Sequence, residues 1–113
     1  MHELSICQGI LRIIEEQAVA QQFSSVETVH IEVGPFAGVE IHALRFGFDV
    51  ASKGTIAQNA TLEISRLPIK ARCISCMKQI NIEQRYDACP ICGKYKVEVI
   101  GGTELRIKDL EVS

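Results

Sequence analysis

Four of the five cysteines in this 113-residue chain fall into two pairs, Cys73-x2-Cys76 and Cys89-x2-Cys92, with twelve residues between the pairs. Two residues between cysteines allow a tight knuckle that aims both sulfurs at one point. Two such knuckles supply the tetrahedron that zinc accepts, with Zn–S bonds of about 2.3 Å. Gly93 directly follows Cys92, where a knuckle favours positive φ, and Pro90 stiffens the second turn. Four thiolates close the coordination sphere, whereas a catalytic zinc keeps one position open, so the spacing points to a structural ion. Iron in a rubredoxin-like site is the rival metal. The CPICG segment resembles a rubredoxin knuckle, but CISCM lacks the corresponding Pro and Gly, which favours zinc.

A second constellation stands at the N-terminus, Met1-His2-Glu3. An α-amine has a pKa of about 7.7–8.0 and can lose its proton to a metal near neutral pH. The His2 imidazole is a good nickel donor, and backbone amides deprotonate when an ion such as Ni(II) holds them in a planar array. The amine, the His2 amide and the His2 imidazole lie close enough along the chain to chelate one ion, and Glu3 can add its amide or carboxylate. Glu3 also suits a helix first turn, where the dipole favours an acid. The remaining candidates read as structural: Cys7 as a small hydrophobe, His30 in a strand and His42 in a helix as packed or surface residues. No Gly-rich phosphate loop and no nucleophile–base motif occurs, so no enzyme activity is expected.

These groups must be positioned by the elements between them. Leu4, Cys7, Leu11, Ile14 and Ala18 recur at helical spacing, which predicts a helix over 4–22. Residues 26–33 alternate, and their β-branched content favours a strand. A turn at Gly34, Pro35 and Gly38 leads to a second helix over about 39–51, with Leu44 and Phe48 among the side chains available for burial and Gly54 as its stop. A second strand covers 61–67, ended by Pro68. A last strand follows over 105–112, with a slip between Ile107 and Leu110 that suggests a bulge. The order of elements places the cysteine module between two strands of one sheet, with Pro68 and Gly101–Gly102 as joints. The expected fold is α+β: a small three-stranded sheet with two helices, plus an inserted four-cysteine, zinc-ribbon-like domain. Residues 70–96 hold too few large apolar side chains for a core of their own, so the metal is expected to stabilise them.

The net charge is −2, from 12 Lys and Arg against 14 Asp and Glu, which is no footprint of a dedicated nucleic-acid binder. The cysteine module is locally basic (Lys70, Arg72, Lys78, Arg85, Lys94 and Lys96 against Glu83 and Asp87), but zinc held by four thiolates is a dianion that absorbs part of this excess. A zinc-ribbon nucleic-acid or protein-binding module is the alternative reading. The acidic remainder of the chain suits a basic partner. The N-terminus has neither the basic region nor the long apolar core of a signal peptide, no stretch suits a membrane span, and a cytoplasmic protein is expected.

The chain resembles the HypA/HybF family of hydrogenase nickel-incorporation proteins. MHELSICQGIL, IEVGPFAGVE, LRFGFDVASKGTIAQNATLEI, CISCM and CPICG carry the resemblance, in the family's order and over essentially the whole length. It implies a nickel metallochaperone that serves the [NiFe] hydrogenase large subunit, and in some bacteria urease, together with the nickel-binding GTPase HypB. It further implies nickel at His2 and the N-terminal backbone nitrogens, with Met1 and Glu3 in the same site, and structural zinc at Cys73, Cys76, Cys89 and Cys92. The implied organisation is a nickel-binding α/β domain over 1–68 and 102–113 and a zinc-binding domain over 69–101. Some relatives carry a zinc-loop His able to approach the nickel; residues 69–100 here have none, so neither that donor nor the pH sensing linked to it carries over. A strand that returns after an insertion can be exchanged between chains, which leaves monomer and homodimer both open.

Overall fold

The computed structural model describes residues 2–113, the His2 side chain excepted. In chain order the elements are α1 (His2–Gln21), β1 (Val26–Val33), α2 (Ile41–Ser52), β2 (Thr61–Arg66), β3 (Ile69–Cys73), β4 (Gln79–Ile82), β5 (Val97–Val99) and β6 (Leu105–Val112). The chain divides into two compact units. The first takes in the chain up to Ile31, Val39–Ser65 and Arg106–Ser113; the second takes in Glu32–Gly38 and Arg66–Leu105. The expected helices and the three longer strands are present, and the cysteine module adds a second three-stranded sheet of its own.

In the first unit the apolar stripe of α1 buries Cys7, Ile10, Leu11 and Ile14, and α2 contributes Leu44 and Phe48. They share a core with Val29 and Ile31 of β1 and Leu62 of β2. The two helices meet at Gly47, where an added Cβ would lie 3.3 Å from Cys7 Sγ and 3.6 Å from Leu4 Cα. The Cys7 thiol donates to Leu44 O at 3.3 Å across the same contact. β1 is the central strand of the sheet, between β2 and β6. Gly34 N bonds Glu104 O and Ser113 N bonds Ser25 O, so β6 runs antiparallel to β1. Along β6 the alternation slips where expected, with Lys108 and Asp109 exposed in succession.

In the second unit β3 lies between β4 and β5, antiparallel to both, with Ala71 opposite Ile80 on one side and Val99 on the other. Contrary to the sequence expectation, this unit has a small core. Ile69, Ala71, Ile80 and Ile82 are buried with Cys73 and Cys89, and Phe36, Val97 and Val99 pack against them. Phe36 comes from the turn after β1, and Ile69, Val97 and Val99 also lie outside the 70–96 window, which is why counting within it undervalued the apolar content. Gly101 and Gly102, expected as a joint, are instead held, because Gly101 N donates to Lys70 O and Gly102 O accepts from Phe36 N. Gly102 has φ +127.

Candidate metal centres

The two knuckles of the second unit have the same backbone hydrogen bonds. Cys73 N donates to Lys78 O at 3.0 Å and Met77 N to Cys73 O at 2.8 Å; Cys89 N donates to Lys94 O and Gly93 N to Cys89 O, both at 2.8 Å. The residue after the second cysteine is left-handed in each, Met77 at φ 59 and Gly93 at φ 76. The sequence marks this turn in the second knuckle with Gly93 and conceals it in the first, where a methionine adopts a conformation that usually costs about 1–2 kcal/mol without glycine. Ile74 N donates to Lys96 O at 2.8 Å, which ties the first knuckle to the segment that leaves the second.

This repetition brings all four expected cysteines together. Their Sγ atoms lie within 4.8 Å of one another, and among the described residues they are the group of His, Cys, Asp and Glu able to hold a metal. Cys73 and Cys92 sulfurs are 3.5 Å apart, and Cys76 and Cys89 sulfurs 3.8 Å. A tetrahedron with 2.3 Å bonds has edges of about 3.8 Å, so the cage has the right size for zinc. No disulfide joins them. Backbone N–H groups point at the sulfurs: the Cys76 N–H is the main cause that holds the Cys73 thiol down at about 6, and the Cys92 N–H lowers Cys89. Ile91 N also donates to Cys89 Sγ at 3.4 Å. Burial, then hydrogen bonding with the Cys73 and Cys89 sulfurs, pushes Cys76 up to about 11. A dication bound here displaces the protons that the thiols carry. Cys73 and Cys89 are buried and Cys76 part-buried; Cys92 is exposed, at the open edge of the cage.

At the N-terminal candidate site, Met1 and the His2 imidazole lie outside the described residues. Glu3 is in the first turn of α1. Its Oε2 accepts from Glu40 N at 3.4 Å. Glu40 is the N-cap of α2, with φ −95 and ψ 123, and its own carboxylate accepts from Ala43 N at 2.6 Å. Two carboxylates thus gather at the positive end of the α2 dipole. Sequence reasoning missed Glu40 because glutamate is not among the favoured N-caps; its one signal is an acid just ahead of the α2 periodicity. Cys7, one turn from Glu3, is not a candidate ligand. Burial first, then the Glu3 charge, pushes its thiol up to about 11. Neither His30 nor His42 belongs to the cysteine cluster. His30 Nε2 is 2.7 Å from Ser65 Oγ, and its Nδ1 is 3.7 Å from Asp109 Oδ1; His42 is exposed on α2.

A family model for hydrogenase/urease nickel incorporation, the metallochaperone hypA, matches residues 1–112. The chain is 55% identical over 112 residues to the hydrogenase maturation factor HypA of Alkalilimnicola ehrlichii, covering 99% of each chain. It is 51% identical over 112 residues to that of Azotobacter chroococcum mcd 1, again covering 99% of each. The solution structure of the Ni metallochaperone HypA from Helicobacter pylori has the same fold, with a TM-score of 0.69, 21% identity and coverage of 97% of this chain and 96% of that one. A further HypA solution structure aligns with a TM-score of 0.73 at 23% identity, covering 100% and 97%.

Proposed function

Because the chain belongs to the HypA family of hydrogenase/urease nickel-incorporation metallochaperones, we propose that it carries Ni(II) on the first turn of α1 and delivers it during hydrogenase maturation. The nickel donors are the Met1 amine, the His2 amide and imidazole, and Glu3 through its amide or carboxylate. Four cysteines, Cys73, Cys76, Cys89 and Cys92, hold a structural zinc. The two compact units divide this labour, nickel on the first and zinc on the second. The protein works in the cytoplasm as a carrier rather than a catalyst, handing its cargo on with the GTPase HypB to the hydrogenase large subunit. Nucleic acid and membranes play no part. Among the described residues no helix is long and apolar enough to cross a membrane.

What supports the nickel reading is that the backbone amides of His2 and Glu3 lie at the very start of α1. α1 spans His2–Gln21, and the first four N–H groups of a helix have no intrahelical partner. The amides of His2 and Glu3 can therefore give up their protons to a metal without breaking a helical hydrogen bond. Glu3 is steadied against α2 through Glu40 N. The test is nickel calorimetry with metal analysis on untagged, zinc-loaded wild type and His2→Ala. Wild type takes up nickel, while His2→Ala keeps its zinc and its circular dichroism but loses stoichiometric nickel. Tight stoichiometric nickel binding by His2→Ala overturns the assignment.

A further inference from the structure

The two knuckles of the second unit carry apolar side chains that stay largely in water. Ile74 is 52% exposed, Ile91 58% and Met77 70%. None of the three belongs to the unit's core. Met77 also holds the left-handed position, φ 59, that Gly93 holds in the other knuckle. A side chain strains the backbone there, and one so exposed recovers little of that cost by burial. Glycine would serve the turn better, so the methionine is not explained by folding.

Each of these apolar residues has a lysine beside it. Ile74 N donates to Lys96 O at 2.8 Å, Lys78 directly follows Met77, and Lys94 comes soon after Ile91. The carbonyls of Lys78 and Lys94 accept from Cys73 N and Cys89 N, so both lysines are pinned to the cage through the backbone. All three lysines are exposed, and among the described residues none has an ion-pair partner. Neighbouring charges are otherwise engaged. Arg85 stacks on Phe36 at 4.3 Å, and Asp87 accepts from Glu83 N and Gln84 N. The four sulfurs lie within 4.8 Å of one another, so the three apolar–cationic couples leave the unit from one small region. A thiolate-held ion offsets part of the lysine charge, but it gives no reason for the exposed aliphatic side chains.

We propose that the two knuckles form a docking face for an acidic segment of another protein, one in which carboxylates alternate with aliphatic side chains. The lysines attract and orient the carboxylates. The aliphatic anchors cover Ile74 and Ile91, and the unbranched Met77 adapts its shape to whichever side chain arrives. The occupant has both kinds of group because the face does. A bare polyanion would use the lysines and leave the aliphatic side chains in water, and a wholly apolar segment would strand the lysines. So small a face makes a transient complex rather than a permanent one. The inference is independent of the nickel reading.

The test is fluorescence anisotropy on the untagged, zinc-loaded chain with a labelled peptide of glutamates interspersed with leucines. Two control peptides carry lysine in place of every glutamate, or serine in place of every leucine. The acidic leucine peptide should bind with a Kd of about 10–100 µM, and each control at least about tenfold more weakly. Lys78→Glu with Lys94→Glu, and Ile74→Ser with Ile91→Ser, should each weaken binding by a similar factor while zinc content and circular dichroism stay unchanged. Where a double variant loses its zinc, Lys96→Glu or Ile91→Ser alone takes its place. Met77→Gly separates docking from folding, since it should bind less tightly yet unfold at higher urea. No binding of the acidic leucine peptide below about 1 mM, equal binding of either control, or folded variants that bind like wild type would each overturn the proposal. Preferential binding to phosphatidylserine vesicles would overturn it too, and would give the face to a lipid surface.

Discussion

Replacing Gly34 by alanine should damage the second unit out of proportion to one added methyl group. Gly34 and Gly102 cross so closely that a Cβ on Gly34 would overlap Gly102 O, stand 2.6 Å from Gly102 C and lie 2.9 Å from Glu104 Oε2. The first two neighbours are backbone and cannot swing aside. The crossing is tied by Gly34 N to Glu104 O at 2.7 Å and Phe36 N to Gly102 O at 2.6 Å. Separating the strands by the roughly 1 Å a methyl needs sacrifices both bonds, about 0.5–1.5 kcal/mol each. Overpacking adds about 1–3 kcal/mol, and Phe36 is drawn off the small core it covers. Together these give a loss of about 2–6 kcal/mol. The assay is urea unfolding of the zinc-loaded protein followed by circular dichroism. Gly9→Ala is the control, since an added Cβ there meets nothing within 4 Å and in a helix should stabilise by about 0.5–1 kcal/mol. Should Gly34→Ala unfold within about 0.5 kcal/mol of wild type, the close-crossing account is wrong.

Native mass spectrometry should find one zinc per chain, and Cys89→Ser should lose it while the α1 and α2 helical signal survives in circular dichroism, because the cluster lies in the second unit. Met77→Gly should stabilise the protein by about 1 kcal/mol in the same urea assay, as it relieves a left-handed methionine. Cys7 should resist iodoacetamide at pH 8 in the folded protein and react on unfolding. Its thiol rises from an ordinary 9.0 to about 11 on folding. Its contribution to stability is therefore complete below pH 9 and is lost as pH climbs towards 11, which a series of melts across that range would detect.

The helices were legible because their burial is periodic: Cys7, Leu11, Ile14, Leu44 and Phe48 are all in the core. The cage was legible from cysteine spacing alone, since two knuckles close on one point almost independently of what surrounds them. Three features escaped. The strands β3, β4 and β5 span five, four and three residues, too short for alternation to declare itself. The Gly34–Gly102 crossing depends on residues far apart in the chain, each of which reads locally as an ordinary turn or joint. The Glu3–Glu40 contact is equally non-local, and nothing in either residue's neighbourhood announces it.

The proposed assignment of two metals to two sites raises a question of discrimination that donor chemistry addresses. Thiolates are soft donors and bind Ni(II) well, and divalent affinity does not by itself favour zinc decisively over nickel. A chain that carries nickel on amine, amide and imidazole nitrogens must therefore keep it out of the cysteines. Prior zinc occupancy accomplishes this, because a filled tetrahedron leaves no open position. The N–H bonds to Cys73 and Cys89 favour the charged sulfurs that a dication needs. Cys92 is the most exposed of the four cysteines, so exchange should begin there. Stripping zinc should then raise nickel uptake, and should do so in His2→Ala as well as in wild type, with the thiolate-to-nickel charge-transfer absorption that nitrogen donors lack. If zinc-free His2→Ala took up no nickel, the cysteines would be selective without help from zinc, and the division of labour would rest on cage geometry alone.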